Sequence, residues 1–139
     1  MALTKAHNRM IAGAPVNVLD FGADSTGATS SKDAIQAAID TGKDVFFPEG
    51  NYLAQGLTVN NNQQCFTAVG GNTRITKNAN GTIISGSGDD LYFGGIDFRG
   101  DASSFTGDNI SLTGERITFS ENCGSSDAYG RALKATGNA

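Results

Sequence analysis

The sequence is poor in charge, histidine, cysteine and proline, and each shortage closes off a class of function. Its 139 residues hold 14 Asp and Glu against 10 Lys and Arg, a charged fraction of 17% and a formal net charge of −4, where a globular chain carries about 25% charge. The electrostatic footprint that phosphate binding needs is missing, which excludes nucleic acid as a partner. A single histidine, His7, rules out a poly-histidine metal site, and its short polar N-terminal surroundings remove it as the base of a Ser-His-Asp triad. The two cysteines, Cys65 and Cys123, lie far apart with no Cys-x-x-Cys, so neither zinc nor a disulfide framework is encoded. Both read as buried small apolar residues. No metal and no cofactor is implied. No apolar run approaches the ~20 residues of a membrane span, and Met1 to Met10 lacks the apolar stretch of a secretory signal. If Met1 is the native start, the protein is made and assembled in a cytoplasm.

Glycine is abundant instead. There are 19 glycines but only two prolines, about 14% glycine against an average near 7%, with no collagen-like period. Hydrophobic residues make up 38%, enough for a core, and Asn, Thr and Ser replace the missing charge. The chain should fold as one unit rich in turns.

Leu3, Ala6, Met10 and Ile11 recur at helical spacing, but so short a helix is marginal alone. It is either a frayed tail or a helix packed against copies of itself, with Leu3, Met10 and Ile11 as the oligomer contacts. Gly13-Ala14-Pro15 breaks it. Val16 to Phe21 then alternates as a strand and runs into a polar loop ending near Ser31. A second helix follows, with Ser30 or Ser31 as N-cap, Asp33 in the first turn, an apolar stripe of Ile35, Ala38 and Ile39, and Thr41-Gly42 as its stop. Beyond Lys43 only short strands occur, separated by Gly, Asn, Ser and Asp.

Those strands repeat. Asp90 to Gly95 aligns with Asn109 to Gly114 at an offset of about 19, and Ile96-Asp97-Phe98 with Ile117-Thr118-Phe119 at about 21, the ~20-residue period of a β-solenoid. Alternation sends Leu91, Phe93, Ile96 and Phe98 inward over Ile110, Leu112, Ile117 and Phe119, and turns Asp97, Arg99, Ser111 and Thr118 outward. Gly and Asn suit the corners. A hairpin-built β-sandwich is the competing architecture, but no strand pair is joined by a two-residue Asn-Gly or Asp-Gly turn.

From Val16 to Leu53 the sequence stops being generic. Asp20-Phe21-Gly22-Ala23, Ala34-Ile35-Gln36-Ala37-Ala38-Ile39 and Phe47-Pro48-Glu49-Gly50-Asn51-Tyr52 resemble the opening of pectate-lyase-like right-handed parallel β-helix proteins, bacteriophage tailspikes most of all. The preceding Thr4 to Pro15 is similar to a tailspike neck. The usual paired acids before the helix are replaced by Ser30-Ser31-Lys32-Asp33. The resemblance implies an all-β, single-stranded right-handed parallel β-helix in three parts: a neck or trimerisation segment at 1–14, a capping strand-helix-strand at 15–53, and the first β-helix coils, truncated, at 54–139. Ile35, Ala38 and Ile39 form the core of the capping helix. A solenoid's open end needs such a terminal element.

The resemblance further implies a homotrimeric virion protein of the phage tail. It would attach to bacterial surface polysaccharide together with the rest of the tailspike and other tail proteins, with any depolymerase activity in coils beyond this chain. Two rivals are a self-contained polysaccharide lyase or glycoside hydrolase of the same fold and a calcium-binding secreted solenoid adhesin. Hydrolysis needs two carboxyl groups roughly 5 to 9.5 Å apart. Asp97, Asp101, Glu115 and Glu121 are the outward carboxylates, but each reads better as solvated surface, and Asp97 has Arg116 as a candidate partner. No catalytic residue is assigned. Ser85 to Gly95 resembles one copy of a calcium-binding nonapeptide repeat. No second copy follows, and that register would bury Tyr92 in place of Leu91 and Phe93. After Phe119 no cap for the solenoid's far end is evident, so a longer polypeptide or another chain is expected to cover it.

Overall fold

The computed structural model describes residues 14–68, 72–100, 105–120, 123–126 and 133–135. Leu3, His7, Met10 and Ile11, and with them the neck, lie outside the described residues. The expected first strand is shorter than its alternation suggests. Strand β1 is Val16–Asn17 alone, and Val18–Phe21 forms a 3-10 turn. Asn17 Oδ1 accepts from the Leu19 N–H at 2.9 Å, a local bond that competes with the sheet ladder. Gly22, at φ 93°, closes the turn by donating back to the Leu19 and Val18 carbonyls.

Helix α1 spans Lys32–Asp40 and buries Ile35, Ala38 and Ile39. Ser31 stands at the N-cap position but makes no capping bond. Its hydroxyl ties down the loop before the helix, accepting from the Asp24 N–H at 2.8 Å and donating to the Asp24 carbonyl at 3.2 Å. Asp24 organises that loop. Its carboxylate accepts from the Thr26, Ala28 and Thr29 amides and from both threonine hydroxyls. These bonds, the Thr26 hydroxyl foremost, hold it well below the usual carboxylate range.

The remaining strands are β2 (Val45–Phe47), β3 (Gly50–Leu53), β4 (Leu57–Thr58), β5 (Cys65–Ala68), β6 (Thr73–Thr76), β7 (Ile84–Gly86), β8 (Tyr92–Gly94), β9 (Ile96–Arg99), β10 (Ile110–Leu112), β11 (Thr118–Phe119), β12 (Gly124–Ser126) and β13 (Leu133–Ala135). They form three sheets, ordered β1-β2-β5-β8-β11, β3-β6-β9-β12 and β4-β7-β10-β13. All pairs among the described strands are parallel. From β2 onward each strand bonds to the one three places later in the chain, so the backbone visits each sheet once per coil. The sandwich alternative fails on this point.

The repeat is real, but its register differs from the alignment at offsets of 19 and 21. Phe93 sits on Phe119, 26 positions on, and Ile110 sits on Ile84, not on Leu91. Likewise Phe98 pairs with Ser125 and Ile75 rather than with Phe119. The shorter offsets match a strand with the one two places later in the chain, β8 with β10 and β9 with β11, which lies in a different sheet. All three sheets alternate in the same way, so an apolar pattern cannot tell them apart.

Inside, the coils stack like on like. Phe66 and Phe93 lie at a ring-centroid distance of 4.8 Å and Phe93 and Phe119 at 5.1 Å, both pairs stacked, while Phe98 meets Phe93 edge-on at 6.0 Å. Each such pair adds about 0.5–1.5 kcal/mol beyond its buried area. Val16, Val45, Phe66 and Phe93 line one inner row, all buried. Cys123 packs at the margin of this core, whereas Cys65 is only half-buried, pointing opposite to Phe66 along β5. The expectation of two buried cysteines is therefore corrected at both positions, since each is only partly buried.

Corners are held by side chains that reach one coil onward. Asn60 Oδ1 accepts from the Ser87 N–H, Asn62 Oδ1 from the Asp89 N–H and Asp89 Oδ1 from the Glu115 N–H, at 3.1, 2.9 and 2.8 Å. Here Gly88 and Gly114 pass so closely that a Cβ on Gly114 would collide with the Gly88 carbonyl. The first edges are closed too. Strand β4 ends its sheet, and Gln36 on α1 donates to the Thr58 carbonyl and accepts from the Thr58 N–H, both at 2.9 Å. One side-chain amide replaces the missing neighbouring strand. For β3, the Asn51 N–H reaches the Ser25 carbonyl and the Leu53 carbonyl receives the Ser31 N–H.

Gly114→Ala should therefore destabilise by about 1–3 kcal/mol, the usual range for overpacking, seen as a lower urea midpoint with an unchanged slope. Tyr52 supplies a pH test. It is fully buried, its hydroxyl donates to the Pro48 carbonyl at 2.8 Å, and burial pushes its pKa up to about 12. The unfolded chain ionises near pH 10, so the neutral phenol's contribution is complete below pH 10 and is lost as pH rises towards 12. Melting temperature should fall across that interval in the wild type, and the Tyr52→Phe protein should lack that part of the fall.

Candidate functional site

The outer face of the sheet β3-β6-β9 carries the most chemistry. Tyr52, Ile75 and Phe98 share one inward row and are buried. By alternation, Asn51, Arg74 and Asp97 form one outward row, and Leu53, Thr76 and Arg99 the next. Thr76 donates its hydroxyl to Asn51 Oδ1 at 2.6 Å. Asp97 Oδ2 lies 3.6 Å from Arg74 Nε and 3.4 Å from Arg99 Nε, with side chains 28%, 47% and 40% exposed in that order. Exposed pairs of this length contribute about 0–1 kcal/mol each. Stability does not account for them, whereas a flat patch of guanidinium, carboxylate, amide and hydroxyl groups matches the hydrogen-bonding needs of a polyol.

Along one border of this face the first three connections lengthen from coil to coil. The connections from its strands to the third sheet run over residues 54–56, 77–83 and 100–109. Lys77, buried at 2% exposure, anchors the longest of them. Its ammonium donates to the Thr106, Gly107 and Asp108 carbonyls at 3.4, 2.9 and 3.4 Å. Asn80 Oδ1 holds the Thr106 N–H at 3.0 Å. Desolvation lowers the Lys77 pKa, against a smaller opposing pull from Asp108.

A second charged cluster sits at the corner between the third and first sheets. Gln63, Asp90 and Arg116 adopt φ of 58°, 56° and 55°, left-handed positions that recur at this corner in three consecutive coils. That stacking brings Arg116 onto Asp90 through both its Nε and its Nη2, with Glu115 alongside at 3.3 Å. Hydrogen bonding to Arg116 lowers the Asp90 pKa. A glycosidase's general acid needs the opposite shift, so this cluster fits a structural clasp better than a hydrolytic pair.

The two described members of the expected carboxylate set, Asp97 and Glu115, lie in different clusters. Asp97 lies on the polar face and pairs with Arg74 and Arg99, which corrects the expected pairing with Arg116. Glu115 belongs to the Arg116 corner. Asp101 and Glu121 lie outside the described residues. The calcium-repeat register, already disfavoured by the sequence, does not hold, since Leu91 and Phe93 are buried and Tyr92 is 37% exposed. Arg74 and Thr76 were missed. Their signal was the alternation of Thr73-Arg74-Ile75-Thr76, 23 residues before Ile96-Asp97-Phe98-Arg99. Asp97→Asn should destabilise by no more than about 2 kcal/mol in urea unfolding, since it removes two exposed pairs of about 0–1 kcal/mol each. A larger loss would make the patch structural.

Comparison with known proteins agrees with the fold. Residues 15–64 match the family model described as rhamnogalacturonase A/epimerase, pectate lyase-like. A search of curated proteins gave no match. Among solved structures, ORF18 of Geobacillus virus E2 superposes with a TM-score of 0.76 at 20% identity, over 86% of this chain and 27% of that one. PfbA, a surface adhesin of Streptococcus pneumoniae, gives a TM-score of 0.53 at 20% identity, over 76% of this chain and 33% of that one. The chain thus spans about a third or less of the length of these similar structures.

Proposed function

We propose that the chain is the opening of a right-handed parallel β-helix of the phage-tailspike type, a virion component that attaches to bacterial surface polysaccharide. In this reading α1 is the lid of the solenoid, residues 1–14 are the neck that joins three copies, and the face bearing Arg74, Thr76 and Asp97 is an early part of the glycan-contacting surface. Cleavage of the polysaccharide, where it occurs, belongs to other coils of the parent protein.

One observation carries the reading: the pectate-lyase-like match over residues 15–64 leads without a break into a three-sheet coil whose outer faces are polar. A viral protein among the structural neighbours agrees with the virion assignment. The enzyme alternative has less support, because Asp90 is held ionised and Asp97 is matched to arginines. Purified full chain should run in light scattering at three times its 14.3 kDa mass and be retained by at least one polysaccharide in a panel of bacterial lipopolysaccharides and capsules. A monomer that passes every column in the panel would sink the proposal.

A further inference from the structure

We propose that Asn80 is a site of spontaneous covalent modification, closing on the Gly81 nitrogen to a succinimide, and that the Lys77-anchored stretch 106–108 governs the reaction by holding both reacting groups. Of the chain's asparagines only Asn80 precedes a glycine, the residue with no side chain to hinder the approach of its nitrogen. Asparagine is also among the residues that heat degrades most readily. The fold requires this labile pair. Gly81 stands at φ 111°, a conformation that favours glycine, and a Cβ there would meet the Gln55 side-chain nitrogen at 2.7 Å. Asn80 supplies the Oδ1 that accepts from the Thr106 N–H at 3.0 Å.

The backbone of Thr106 clasps the two reacting groups at once. Its N–H holds the Asn80 amide oxygen, and its carbonyl receives the Gly81 N–H at 2.8 Å. Ring closure requires the Gly81 nitrogen to turn onto Asn80 Cγ and lose its proton, which the second bond opposes, while the first keeps the side chain from rotating. Burial adds no protection, because Asn80 is exposed and water is at hand. Thr106 is held in turn by Lys77, whose buried ammonium donates to the Thr106, Gly107 and Asp108 carbonyls. A buried charge is tolerated only with such partners, so the stretch is held shut by the ammonium's need for acceptors.

When the stretch opens, the Gly81 nitrogen gives up its proton and bonds to Asn80 Cγ, the Cγ–Nδ2 bond breaks, and Nδ2 leaves as ammonia. Water then adds at one of the two ring carbonyls, which leaves aspartate or isoaspartate at position 80. Water is the only co-reactant. Isoaspartate places one further carbon in the backbone ahead of Gly81, within a segment bonded to the coils on both sides, by the Gly56 N–H on the Thr82 carbonyl at 2.9 Å and by Gly81 on Thr106. The isomer cannot keep both bonds. Conversion at Asn80 is thus a one-way release of this border of the solenoid, and it is independent of what the outer faces bind.

Peptide mapping by mass spectrometry, with isoaspartate separated from aspartate by chromatography, follows the reaction in full chain held in mildly alkaline buffer. Urea-unfolded chain should convert at Asn80 ahead of every other asparagine. Native chain should convert there slower by roughly tenfold or more, since local opening free energies run from near zero up to the global stability. Lys77→Met, which keeps an apolar stem and removes the donor, should speed native conversion at Asn80 several-fold and leave Asn60 and Asn72 unchanged, a selectivity that general loosening would not give. Should that variant fail to fold, the wild type decides: the Gly81 amide should be protected from hydrogen exchange, and conversion should rise in step with its exchange as urea is raised below the unfolding transition. The purified isoaspartate form should unfold at lower urea than the unmodified chain, whereas Asn80→Asp, whose carboxylate still accepts from Thr106, should not. Native conversion as fast as in unfolded chain, or an unprotected Gly81 amide, overturns the protection by Thr106. A folded Lys77→Met that converts at the wild-type rate overturns the control by Lys77, and an unfolded chain that converts first elsewhere overturns the assignment of Asn80.

Discussion

From β2 onward, each described strand finds its hydrogen-bonding partners in the coil before it or the coil after it, not in the next strand along the sequence. That constraint governs the rest of the molecule. Phe66 can stack on Phe93, and Phe93 on Phe119, only if the chain returns to the same azimuth with the same residue facing inward. A slip of one residue would turn every inner side chain outward. Length can vary between the sheets but not within them. Val45 lies 21 positions before its partner Phe66, and Cys65 lies 27 before Tyr92, yet both pairs are in register because the connections absorb the difference.

The corners therefore meet unusual demands. Backbones of successive coils pass at closest approach there, which is why Gly88 and Gly114 have no room for a Cβ. The same geometry imposes left-handed φ on Gln63, Asp90 and Arg116, a conformation that costs a non-glycine residue on the order of 1 kcal/mol or more. The Arg116–Asp90 pair and the coil-to-coil bonds of Asn60, Asn62 and Asp89 recover part of that cost. Glycine excess, asparagine ladder and exposed salt bridge thus share one cause. At the first coil the same constraint meets an absence of neighbours, and Gln36 answers it by offering β4 an amide of its own.

What the sequence disclosed follows from which signals are local. The stripe of Ile35, Ala38 and Ile39 marks a helix because 3.6-residue periodicity is distinctive over nine residues. The inner set Leu91, Phe93, Ile96 and Phe98 was equally legible, because alternation needs no partner to be seen. Partnership was not legible. Ile110 matched Leu91 in pattern but rests on Ile84 in space, since three sheets with the same alternation offer three equivalent alignments and only corner lengths decide among them. Val16 to Phe21 misled in another way, because one Asn17 bond to Leu19 outweighs a propensity spread over six residues. Ser31 was rightly placed at the helix start, but its hydroxyl answers Asp24, seven positions away. Arg74 went unnoticed because an isolated arginine gains meaning only when Asp97 and Arg99 are laid beside it by pairing.

Parallel sheets are ordinarily covered on both faces and their strands read as continuous apolar runs. Here the strands alternate, because the second face of each sheet is water. Folding is then settled by the inward set, by the corners and by the closed first edges, while outward residues such as Arg74, Thr76 and Asp97 contribute at most the ~1 kcal/mol of an exposed pair. Two demands that compete in most domains are separated by the pleat itself. A change on the outer face leaves the way the chain coils untouched, so alternate residues of each strand are free to vary while the other half makes the core.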